Sequence, residues 1–460
     1  MYQDTIAAIA TPVGVGALGV VRLTGPASAS IVAGLFTGRL KDHTAVYGHL
    51  KDPDSGSRVD EVMALLFSAP RSYTCEDMVE ITCHGGPLVV QTVLALLLRQ
   101  GARVAEPGEF TLRAFLNGRL DLAQAESVLD VITSKTPAGL RLAVGGLSGA
   151  LSERVHALRA LLLEPLAYLT ALVDFPEDEV GTIDVAPALG EALAGLDRLI
   201  ATAGQGVIYR DGVRTAIIGR PNAGKSSLLN RLLGRDRAIV TSVPGTTRDT
   251  LEEVANIRDI PFVFVDTAGI GDSADQIERM GIERSRATAE AADVVLFVVD
   301  LSRPWDGQDS DLAGELADRR VFVVGNKADL PLASWAPPGG VQSPGFVLPP
   351  PGSAEWPSQR VSALTGAGIE ELSDGLRRFV LTGRVFDGSE PVVSKVRHRA
   401  ALERAAGHVR DAVEAHRKGL PADFITIDLT GAVQALGEIT GETAQADLLD
   451  AIFSKFCIGN

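Results

Sequence analysis

The residues Gly219-Arg220-Pro221-Asn222-Ala223-Gly224-Lys225-Ser226 keep the spacing G-x-x-x-x-G-K-S between the apolar run "TAII" and the segment "SSLLNRLLG". Glycines at these places let backbone N–H groups approach phosphate oxygens, and the N-terminus of a following helix adds positive potential. Asn222, Ala223, Gly224, Lys225, Ser226 and Ser227 would then wrap a polyphosphate. Lys225 would reach its outer phosphates, and the Ser226 hydroxyl would bind a Mg²⁺ that bridges the β and γ oxygens.

Three further segments turn a phosphate loop into a guanine-specific one. In Asn326-Lys327-Ala328-Asp329, the carboxylate of Asp329 can accept both guanine N1–H and N2–H. Adenine offers neither donor there, so an ATP-dependent reading conflicts with Asp329. Ser362-Ala363 would supply a backbone N–H to guanine O6, and Gly245-Thr246-Thr247 would form a switch loop in which Thr247 completes the Mg²⁺ shell. Each segment alone reads equally well as a turn. Their order and spacing together point to GTP.

Asp266-Thr267-Ala268-Gly269 has the form of the loop that senses the terminal phosphate, but the next residue is Ile270, which cannot orient an attacking water. Ser273 and Gln276 form a capping-box pattern that starts a helix. Glu278, in its first turns, could orient water, or could be a surface carboxylate paired with Arg286. The charge developing on the phosphates could be met by Arg248, or by a monovalent cation on the Asn222 carbonyl and switch-loop carbonyls.

The elements that must position these groups follow from periodicity. Residues 1–117 read as α/β, with strands in "TIAAIA", "LGVVRLTG", "EVMALLFSA" and "MVEITCHGG" and a helix in "PLVVQTVLALLLRQG" closed by Gly101. Residues 118–210 carry helical stripes such as Leu147, Leu151, Val155, Leu158 and Leu162, which predict bundle core. Residues 211–380 return to α/β, with apolar β-branched runs typical of a mostly parallel sheet. Within them, 331–360 is dense in Pro and Gly and reads as loop; residues 381–460 are helical again. The expected architecture is an α/β domain followed by a helical domain that a Ras-like P-loop domain interrupts. Gly14-Val15-Gly16-Ala17-Leu18-Gly19 fits a dinucleotide fingerprint by letters, but a strand follows it where that fingerprint needs a helix, so a hairpin is expected.

The 460 residues carry a formal net charge of −15, a poor whole-surface match for nucleic acid, so an RNA partner needs a local basic patch or a second protein. Cys75, Cys83 and Cys457 lack Cys-x-x-Cys spacing, which argues against a disulfide scaffold or zinc site and fits a reducing cytoplasm. No signal peptide or uninterrupted apolar run predicts a membrane span.

The chain resembles the MnmE (TrmE) family of tRNA-modification GTPases over nearly its whole length. The likeness is carried by "GRPNAGKSSLLNRL", "AIVTSVPGTTRD", "DTAG", "IERMGIERS", "NKAD" and "SALTG", and more specifically by "CHGGP", "AEPGEFTLRAFLNGRLDLAQAE", "VDFPEDE", "LGEITGE" and the terminal "IFSKFCIG". The resemblance implies a potassium-activated, Mg²⁺-dependent GTPase. K⁺ would be held by Asn222, Thr241, Val243 and Thr246, within a GTP-lining segment of Thr241, Ser242, Val243, Pro244, Gly245, Thr246 and Thr247. Glu278 would orient the water. The resemblance also implies a homodimer formed through the N-terminal domains and a folate site there at Arg22, Glu80 and Arg119, for 5-formyl- or 5,10-methylene-tetrahydrofolate. The implied partner is the flavin enzyme MnmG (GidA), in a heterotetramer. Together they would install a carboxymethylaminomethyl-type group at C5 of wobble uridine 34 in tRNA, the flavin partner binding much of the tRNA. Another class of function, an RNA-docking switch GTPase of ribosome assembly, would need no folate.

Two departures stand out. The family usually ends Cys-x-Gly-Lys, and this chain ends Cys457-Ile458-Gly459-Asn460, losing a cation where the tail is expected to approach the folate; the plain alternative for Cys457 is a buried structural thiol. The Pro-rich segment 331–360 is also longer than expected between its flanking motifs.

Overall fold

The computed structural model describes residues 3–175, 183–235, 253–265, 289–332, 356–381 and 391–459. Thr241, Ser242, Val243, Pro244, Gly245, Thr246, Thr247, Asp266, Thr267, Ala268, Gly269, Glu278, Asn460 and most of the Pro-rich segment lie outside them. The chain forms two compact units, one of residues 1–129, 146–196 and 401–460, the other of 130–145 and 197–400.

The first unit opens with a six-stranded sheet ordered β3-β4-β5-β2-β1-β6. Its strands are β1 (Ile6–Ile9), β2 (Leu18–Thr24), β3 (Ala45–Lys51), β4 (Arg58–Phe67), β5 (Met78–His84) and β6 (Arg103–Val104). The alternation in β2 is physical: Val21 and Leu23 are buried in a core shared with helices α1 (Ser28–Leu35) and α2 (Pro87–Arg99), while Val20 and Arg22 take the other face. The glycine-rich letters between β1 and β2 form the connection of an antiparallel hairpin, with Gly16 N–H donating to Gly85 O at 2.9 Å. The dinucleotide reading is thereby excluded, as the sequence predicts.

Helix α3 (Glu109–Leu116) follows, then α4 (Leu122–Thr133), α5 (Pro137–Leu147), α6 (Ala150–Asp174) and α7 (Ala186–Asp211). Of the predicted stripe, Leu151, Val155, Leu158 and Leu162 are buried on α6, which packs on the late helix Ala422–Thr440, whereas Leu147 ends α5 and is half-buried. By length and composition α6 is apolar enough to cross a membrane; its buried apolar residues, Leu151, Val155, Leu158, Leu162 and Leu169, line the packed face.

The second unit holds the other six-stranded sheet, ordered β12-β11-β10-β7-β9-β8. Its strands are β7 (Val213–Ile218), β8 (Glu253–Ile257), β9 (Ile260–Phe264), β10 (Val294–Asp300), β11 (Val321–Asn326) and β12 (Ser358–Arg360). All pairings are parallel except β8 with β9. Strands β9, β10 and β11 are buried at every position, which is why they read as unbroken apolar runs. Helices α8 (Lys225–Arg235), α9 (Gly307–Glu315) and α10 (Ile369–Val380) accompany them. Because β7, β10, β11 and β12 are neighbours in one parallel order, the loops at their carboxyl ends fall along one edge, where ligands of such sheets bind. The chain closes with α11 (Val396–Arg417), α12 (Ala422–Thr440) and α13 (Ala446–Phe453).

Candidate functional site

The loop leaving β7 is shaped by close approach. A Cβ on Gly219 would lie 2.2 Å from Val298 O, and one on Gly224, where φ is +92°, would lie 2.2 Å from Asn326 Nδ2. Asn222 takes a left-handed φ of 64°. Gly224 O accepts from Leu228 N–H at 2.9 Å as α8 begins, leaving the N–H groups of its first turn at the loop. Lys225 Nζ donates to Gly219 O at 2.8 Å and to Arg220 O at 2.9 Å. Burial pushes its pKa down, a cost that an anionic ligand beside the ammonium would offset. Ser226 sits one residue on, in the first turn of α8, where its hydroxyl suits a hard cation.

Asn326, at the end of β11 and 2 % exposed, joins two loops. Its Nδ2 donates to Ala223 O at 2.9 Å, and its Oδ1 accepts from Ala363 N–H at 3.0 Å. Lys327 has a left-handed φ of 62° and places Nζ 2.7 Å from Asp300 Oδ2. Burial works against the Asp300 charge, but hydrogen bonds from Lys327 and Ser302 outweigh it and hold the carboxyl below its ordinary value. Ala328 N–H donates to Val361 O at 3.0 Å, and Asp329 is exposed, its carboxylate open to a base. The described part of the predicted set, Asn222–Ser227, Asn326–Asp329 and Ser362–Ala363, is therefore brought to one edge.

One detail differs from the expectation. The N–H groups of both Ser362 and Ala363 are already donated, to Ala367 O at 2.9 Å and to Asn326 Oδ1 at 3.0 Å. Sequence reasoning also missed Asp300 and Arg231. Asp300 had a signal, a lone acid closing the run "VVLFVV"; Arg231 had none, since an arginine on a helix usually faces water.

In the first unit, Arg22 on β2 stands directly opposite Glu80 on β5. The Arg22 guanidinium lies 4.4 Å from the Phe110 ring centroid and 5.5 Å from that of Tyr73. Arg119 lies 4.7 Å from the Tyr73 ring on its own account and donates to Tyr73 O at 3.1 Å. Burial pulls the Arg22 pKa down, opposed by Tyr73 and Glu80. Its Nε is buried without a hydrogen-bond partner among the described residues, a donor that a ligand carboxylate would satisfy. Arg22 and Arg119 thus both lie against Tyr73, which the sequence did not flag, while Glu80 faces Arg22 across the strands. The tail reaches this domain: Ile458 pairs with Pro107, and Gly459, at φ +103°, packs against Ile9. Cys457 is exposed, so the buried-thiol alternative does not hold. Among the described residues no group of three or more His, Cys, Asp and Glu side chains is placed to hold a metal.

Comparison with known proteins extends over the same regions. Residues 5–119 match the family model described as GTP-binding protein TrmE N-terminus, and residues 122–457 match the MnmE helical domain. The chain is 50% identical over 473 residues to the tRNA modification GTPase MnmE of Roseiflexus castenholzii, covering 100% of both chains. It is 49% identical over 466 residues to that of Chloroflexus aurantiacus, covering 99% of this chain and 100% of the other. The crystal structure of a single-residue variant of Aquifex aeolicus Era bound to GDP and aluminium fluoride is 28% identical over 43% of this chain and 66% of its own, with a TM-score of 0.26, too low to argue from.

Proposed function

This chain belongs to the MnmE family of tRNA-modification GTPases, and from that premise we propose that it hydrolyses GTP in the course of tRNA wobble-uridine modification. The observation that carries the proposal is a match across the full chain, N-terminal and helical parts included, so that the likeness is not confined to motifs shared by GTPases.

In this reading the first turn of α8 and Lys225 bind the phosphates, Asp329 reads guanine, and Asn326 locks the phosphate loop to the base loop. Ser226 and Thr247 would hold Mg²⁺, and Asn222, Thr241, Val243 and Thr246 would hold K⁺. When bound, these cations would supply positive charge to the transition state, where an arginine would otherwise be needed. Glu278 orients the attacking water, in place of any side chain at Ile270. Wild-type turnover is expected to fall sharply when K⁺ is replaced by Na⁺, and Glu278→Ala to remove hydrolysis while GTP still binds. One such group is worth about 3 kcal/mol of transition-state stabilisation. Equal single-turnover rates in the two salts would remove K⁺ from the mechanism.

The Arg22–Tyr73–Arg119 cluster is proposed to bind the glutamate carboxylates of a one-carbon tetrahydrofolate, with Glu80 on the pterin donors. Supporting this are the orphaned Arg22 Nε and the arrival of the tail at Pro107 and Ile9. Arg22→Ala is expected to weaken 5-formyl-tetrahydrofolate binding about tenfold by calorimetry, the scale of one charge-assisted contact; unchanged affinity would remove Arg22 from the site. A homodimer through the N-terminal sheet is proposed too, since the exposed Tyr47 and Met63 share a face with Arg22 and Glu80, away from α1 and α2. The flavin partner MnmG would complete the modifying complex.

A further inference from the structure

Arg231 lies on α8, six positions after Lys225, and reaches the loop after β12. Its Nε donates to Ala363 O at 3.0 Å and its Nη2 donates to Leu364 O. These two carbonyls belong to consecutive peptide groups. The first carries the Leu364 N–H and the second the Thr365 N–H. In a trans peptide C=O and N–H point opposite ways, so a guanidinium that holds both oxygens also sets the direction of both N–H groups.

Most N–H groups of this loop are already spent. Ser362 N–H donates to Ala367 O at 2.9 Å, Ala363 N–H to Asn326 Oδ1 at 3.0 Å and Thr365 N–H to Ser362 Oγ at 3.0 Å. Among the described residues the Leu364 N–H has no acceptor. It is the donor left for a ligand, and it sits in the very peptide whose oxygen Arg231 holds. A cation on that oxygen also polarises the peptide and makes its N–H a stronger donor.

We infer that Arg231 is a positioning residue for guanine recognition: it fixes and polarises the Ala363–Leu364 peptide so that the Leu364 N–H is presented to the base O6. The planar fork suits two successive carbonyls in a way that a lysine, a point donor, does not. The inference rests on the reading of Ser362–Ala363 as the segment facing O6 and refines it by moving the donor one residue on.

The test uses the full-length protein and equilibrium affinities for GDP and 6-thio-GDP, measured by displacement of a fluorescent GDP. Sulfur at position 6 is a weak acceptor, while the N1–H and N2–H groups read by Asp329 are kept. Wild type is expected to prefer GDP about tenfold, the scale of one strengthened hydrogen bond. In Arg231→Ala the preference should fall to near unity, and in Arg231→Lys to an intermediate value. A wild-type protein that does not distinguish the two nucleotides, or an Arg231→Ala protein that keeps the full preference, overturns the inference. Should Arg231→Ala fail to fold, Arg231→Lys decides alone: an undiminished preference overturns the inference and a reduced one supports it. Asp329→Asn separates this from the underlying site, since it should turn base preference toward xanthine. If it does not, the base-site reading falls and the inference with it. If it does while Arg231→Ala keeps the sulfur discrimination, only the inference falls.

Discussion

Gly224 shows how much of a nucleotide site can depend on one missing atom. Its φ of +92° and the Asn326 amide 2.2 Å from where a Cβ would stand mean that Gly224→Ala must move either the phosphate loop or the link to Ala363. Strain of this kind costs about 1–3 kcal/mol, so GTP affinity in Gly224→Ala should fall roughly tenfold to a hundredfold. Equilibrium titration with a fluorescent guanine nucleotide checks this, and an unchanged affinity would mean that the loop yields freely. The places proposed to bind phosphate and guanine, Lys225 and Asp329, were legible because spacing alone marks them. Tyr73 and Arg231 were not, because each acts through a contact made across the fold. Tyr73 lies between two guanidinium groups from β2 and from the loop after α3, and Arg231 meets a loop 132 residues away.

At the level of elements, apolar period sufficed for β9, β10 and β11 because both of their faces are buried. It did not reveal β3, "AVYGHLK", whose alternation is weak and interrupted by Gly48. That glycine is dictated by packing, since a Cβ there would lie 2.5 Å from the Phe36 ring. Helix α3 is anchored in a way periodicity cannot show. Arg113 is fully buried and binds Asp4 at 2.8 Å, Glu109 at 2.9 Å and Glu76 at 3.2 Å, while Arg103 binds Glu109 at 2.7 Å. Burial opposes the Glu109 charge, but Arg103, the Glu106 N–H and Arg113 prevail and hold its pKa below the ordinary value; Asp4 is lowered likewise. A carboxyl lowered in the folded state binds fewer protons there than when unfolded, so stability rises with pH through this range. It is complete above the ordinary carboxylate range near pH 4 and is lost as pH falls through the lowered values. Amide exchange over Glu109–Leu116 should therefore accelerate on acidification below about pH 4, and less so in Glu109→Gln. Arg113→Ala, which takes the cation from Glu76 and leaves Glu109 with Arg103 alone, should cost about 3 kcal/mol at neutral pH. Exchange in α3 that ignores pH would show the cluster to be energetically idle.

On the scale of the whole molecule, the net charge of −15 is a poor whole-surface match for nucleic acid, so the proposed RNA partner needs a local basic patch or a second protein. The chain places a guanine-nucleotide unit within a sequence whose flanks match the N-terminal and helical parts of the family. Charge and motif order made that plan legible before any coordinates. The tie between phosphate loop and base loop through Asn326 needed them, because a single amide serves both. In the proposed function, GTP hydrolysis on this chain drives wobble-uridine modification. The most direct measurement is nucleoside mass spectrometry of tRNA from cells that lack this protein and have no paralogue. The carboxymethylaminomethyl-type nucleoside should be absent, should return with the wild-type chain and should stay absent with Glu278→Ala. Full modification in the deletion strain would contradict the account.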